Sequence, residues 1–168
     1  MSRILDRLSG WGLLVGSLAP LLEKVEGARP ENVLPLLCEL GALEGGLSVA
    51  LDVRPDEAIG ALCLAISGGA KRLRVEDVRD RPEPELLVRF GSGTTERWSV
   101  PDVRALVHNL NDLFRDDPAA RAVVDLGDRD DAQQLWCVGK QLLPGLLRER
   151  FFAPQNERQL RSLLGERD

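Results

Sequence analysis

The stretch 125–131 carries four carboxylates, Asp125, Asp128, Asp130 and Asp131, and comes nearest of any in this chain to a pattern that could do chemistry. Oxygen ligands converging in one loop can hold Mg²⁺ or Ca²⁺, because hard cations prefer carboxylates. The spacing misses the EF-hand loop, which needs a central glycine and a distal bidentate glutamate. The favoured reading is structural. Asp125 lies near the end of a strand, Asp128 caps a following helix, and Asp130 and Asp131 sit at that helix's positive end. A metal-dependent enzyme or ligand-binding domain built on this loop is the alternative.

Other candidates are weaker. His108 is the only histidine, and on its helix it lies opposite Val103, Val107 and Leu110, which makes it a surface residue. A general base needs a nucleophile and an orienting group beside it, and no serine or cysteine stands in a nucleophile-elbow context. Gly91 to Thr95 could cradle a phosphate, but it lacks the Lys-Ser/Thr of a P-loop and leads into a strand, so it reads as a hairpin turn. Glu83, Glu85 and Glu96 flank strands and read as solvated edges. Cys38, Cys63 and Cys137 are widely spaced, without a CxxC, and each sits in a leucine-rich pattern, which suits buried free thiols in a reducing cytoplasm. No catalytic residue, metal ligand or cofactor is assigned, and the reading leans away from an enzyme.

The elements that must position these residues follow from periodicity. Ile4, Leu8, Trp11, Val15, Leu18, Leu22 and Val25 form a stripe at spacings of four and three. Gly10, Gly12, Gly16 and Pro20 weaken it, which allows two short helices. Pro30 opens a helix that Gly45 and Gly46 stop. Alternation from Leu47 to Val53 predicts a strand, and Pro55, Asp56 and Glu57 open a helix that ends at Gly68-Gly69. Leu73 with Val75, Leu86 to Phe90, and Trp98 with Val100 predict an antiparallel meander. A helix starts at Pro101-Asp102, a fifth strand covers 122–126, a helix holds Leu135, Trp136 and Leu142, and Pro144-Gly145 breaks it before two further helices. The expected fold is α+β: an antiparallel or mixed five-stranded sheet with helices on one face and helical extensions at both ends. The expected domain plan is one domain, 1–168, with a helical segment 1–45, an α/β core 46–143 and a helical tail 144–168.

Composition narrows the function classes. Hydrophobic residues make up 43% and charged residues 29% of 168, an ordinary globular balance that argues against disorder. The net charge of −5 argues against general binding to a nucleic-acid backbone. Residues 11–22 imitate a signal-peptide core, but Asp6 interrupts the segment before it and Pro20 follows Ala19, so the stretch reads as part of the fold. No apolar run reaches the roughly 18–20 residues of a transmembrane helix.

The helical ends carry the functional expectation. Trp11, Val15, Leu18 and Leu22 at one end, and Arg148, Phe151, Phe152 and Arg158 at the other, combine apolar, aromatic and arginine side chains, the usual anchors of interfaces. The competing reading is that both ends fold onto the sheet as core. The sequence therefore predicts a cytoplasmic, non-enzymatic regulatory or adaptor module that binds a protein partner, or itself as a homodimer, through these ends.

Overall fold

The computed structural model describes residues 2–68, 73–80, 82–149 and 152–165. Among them the α+β class holds, with seven α-helices and six strands. The single five-stranded sheet does not hold. The strands form two three-stranded antiparallel sheets, β1-β6-β5 and β2-β3-β4. The difference starts at residues 132–139, expected to be helical and found as a strand. The chain divides into two compact units, 1–51 with 122–168, and 52–121.

In the first unit the glycines break the N-terminal stripe into α1 (Ser2–Gly10) and α2 (Leu18–Val25). A 3₁₀ turn at Pro30–Asn32 leads into α3 (Val33–Glu39), and β1 covers Gly46–Ala50. The later half supplies β5 (Arg121–Arg129), β6 (Ala132–Gly139), α6 (Leu143–Arg148) and α7 (Pro154–Leu163). Pro144 and Gly145 lie inside α6 rather than breaking a helix. Proline costs little there, since the first helical N–H groups have no partner to lose.

β5 and β6 form a hairpin whose two-residue turn is Asp130-Asp131. Asp130 takes φ +49°, a left-handed conformation that Asp tolerates better than most residues. The turn fixes the register, and β1 then pairs with β6 so that Gly46 lies opposite Trp136. A Cβ on Gly46 would come within 3.0 Å of the Leu43 carbonyl oxygen and 3.1 Å of the Cys38 sulfur, so this close approach requires glycine. α3 packs on β1 and β6. Leu5, Leu8, Leu37, Val124, Trp136 and Leu160 join one core, so α1 and α7 bury their apolar faces within this unit.

The edge strand β5 is held in a specific way. Asn156 and Gln159, one turn apart on α7, grip the backbone of Asp125. The Asn156 amide donates to the Asp125 carbonyl, and Gln159 Oε1 accepts from the Asp125 N–H at 3.0 Å. These side chains take the place of a neighbouring strand at that residue, which is one way to protect a sheet edge.

The second unit holds α4 (Pro55–Ser67), β2 (Arg74–Arg79), β3 (Glu85–Arg89), β4 (Thr95–Ser99) and α5 (Val103–Leu113). The expected meander is present, with Leu86 opposite Trp98 and Val78 opposite Leu86. Gly68, at φ +59°, ends α4, its N–H bonded to the Leu64 carbonyl. Asp102 caps α5 by accepting from the Ala105 N–H at 2.8 Å. α4 packs on α5 and β2, and Leu62, Ile66, Leu86, Val88, Leu106 and Leu110 are buried.

Candidate functional site

The aspartate stretch follows from the hairpin. Asp125 is half-buried and its Oδ1 accepts from the Gly127 N–H at 2.9 Å, while Asp128, Asp130 and Asp131 are exposed along the strand end and turn. There is no helix here for Asp128 to cap. Among the described residues no three His, Cys, Asp or Glu side chains group as metal ligands. His108 is exposed as expected and pairs with Asp112 one turn on, at 3.4 Å. Gly91 to Thr95 is the turn and start of β4, with the Ser92 and Thr94 hydroxyls 2.8 Å apart. Glu96 accepts from the Trp98 indole at 3.2 Å, and Glu85 pairs with Arg97 at 3.8 Å.

The cysteines are all free and buried. Burial raises the Cys38 and Cys63 thiols from the ordinary 9.0 to about 11. The Cys38 thiol donates to the Leu135 carbonyl at 3.3 Å and the Leu47 carbonyl at 3.5 Å. Neither is an activated nucleophile, since the reactive species is the thiolate. A thiol pKa raised on folding supports the fold fully below the unfolded value, and that support is lost as pH rises from 9.0 towards about 11. A thiol reagent at about pH 8 is expected to label the native protein slowly and all 3 cysteines once denaturant is added. Fast labelling of the native protein would show that a thiol is open to solvent.

The residues expected at an interface fall into distinct places. Phe152 is buried, its ring stacked on Trp136 with centroids 6.4 Å apart. Trp11 is half-buried, and its ring lies against Gly145, where a Cβ would meet it at 3.4 Å. Leu18 is half-buried against the core. Arg148 and Arg158 are exposed. Phe151 lies outside the described residues. Val15 and Leu22 remain open, 49% and 36% exposed.

Among the described residues, five large apolar side chains are exposed: Val15, Leu22, Leu40, Leu51 and Leu64. Leu64 is the most open, at 62%, but its exposed neighbours on α4 are Gly60 and Ala61, so it stands alone as a bulky group. Single exposed leucines are normal on protein surfaces. Val15, Leu22 and Leu40 differ because they occur on packed neighbours. The Val15 N–H donates to the Ala42 carbonyl at 2.9 Å and the Glu44 N–H to the Leu13 carbonyl at 2.9 Å, which joins the segment before α2 to the one after α3. Leu40 ends α3, and α3 packs on α2. Leu21 and Val25 turn into the core, whereas Ala19, Leu22 and Glu23 are exposed at helical spacing, and exposed Glu26 follows at the C-cap. Leu40, which joins Val15 and Leu22 here, was not among the residues the sequence marked for an interface.

No helix among the described residues is long and apolar enough to cross a membrane. Comparison with protein-family models, curated proteins and solved structures gives no match.

Proposed function

We propose that this chain is a non-enzymatic binding module, of regulatory or adaptor type and acting in the cytoplasm, that docks a protein partner on the face formed by Val15, Leu22 and Leu40. One observation carries the reading: these three apolar side chains stay open on elements that pack together, while the rest of the α1 and α2 stripe turns inward. Apolar surface left in water costs roughly 25 cal/mol per Å², so a partner that covers this face gains that term. The partner is a second protein chain, a second copy of this one included.

The test compares wild type with a Leu22→Asp/Leu40→Asp double variant in host extract and in sedimentation across a concentration series. Leu22 and Leu40 are 36% and 37% exposed, so the variant is expected to fold, with a melting curve lowered by no more than an average substitution at each position. The reading expects the complex, or the self-association, to be lost in the variant. Equal complexes from both proteins would remove this face from the account.

A further inference from the structure

We draw no further inference here: the strongest candidate, the outer edge of strand β4 in the second unit, where Thr95, Arg97 and Ser99 are exposed, is a sheet edge with nothing in the structure to show what covers it.

Discussion

Trp136→Ala is expected to lower the stability of the fold by about 3–5 kcal/mol, the range for truncating a large aromatic in a packed core. Trp136 has no exposed surface. Its ring stacks on Phe152, and its indole N–H donates to the Glu44 carbonyl at 2.9 Å. The truncation empties a fully buried position in the first unit and removes the hydrogen bond to Glu44. A domain of ordinary stability has only about 5–15 kcal/mol to lose, so the variant is expected to be partly unfolded at physiological temperature. Urea unfolding followed by circular dichroism checks this. A loss below about 1 kcal/mol, the size of an average substitution, would mean that Trp136 is not the keystone of this core. Trp136→Phe separates the two contributions, since it keeps most of the ring and loses the hydrogen bond.

Asn156→Ala is expected to cost about 0.5–1.5 kcal/mol, the range for the loss of one intramolecular hydrogen bond. Asn156 is buried and its amide donates to the Asp125 carbonyl on the edge strand β5. Gln159→Ala removes the companion bond to the Asp125 N–H, but Gln159 is half-buried, so water can replace it and the cost is smaller. Amide hydrogen exchange at residues 124–126 is expected to speed up in both variants, more in Asn156→Ala. Unchanged exchange in both would show that α7 does not secure this edge.

Much of the fold was legible because local signals and tertiary environment agree. The helix after Pro55 has proline and acids in its first turn and glycine at its end, and it forms as read. The meander has alternating strands, with Ser92-Gly93 at one turn. β6 was not legible. Leu135 to Val138 is a continuous apolar run, and a strand buried on both faces gives no alternation to distinguish it from a buried helix. The aspartates before it resemble helix caps, and only the pairing of β6 between β1 and β5 shows them to be strand end and turn.

Periodicity also marked which side chains of the helical ends are apolar, but could not tell which of them this same chain covers. Trp11 meets Gly145 and Phe152 meets Trp136 across more than a hundred residues and fifteen residues respectively, contacts that no local pattern encodes. Of the stripe residues, Val15 and Leu22 are the ones the chain leaves exposed. The grip of Asn156 and Gln159 on Asp125 was invisible, since two amides one turn apart on an exposed-looking helix carry no signal until the strand edge is in place.

Hydrogen–deuterium exchange on the complex captured from the host, compared with the free chain, measures directly which surface a partner occupies. Slowed exchange is expected at residues 14–26 and 36–42, with 55–113 unchanged. Protection confined to 55–113, or to α6 and α7, would contradict a docking surface on the α2 and α3 face.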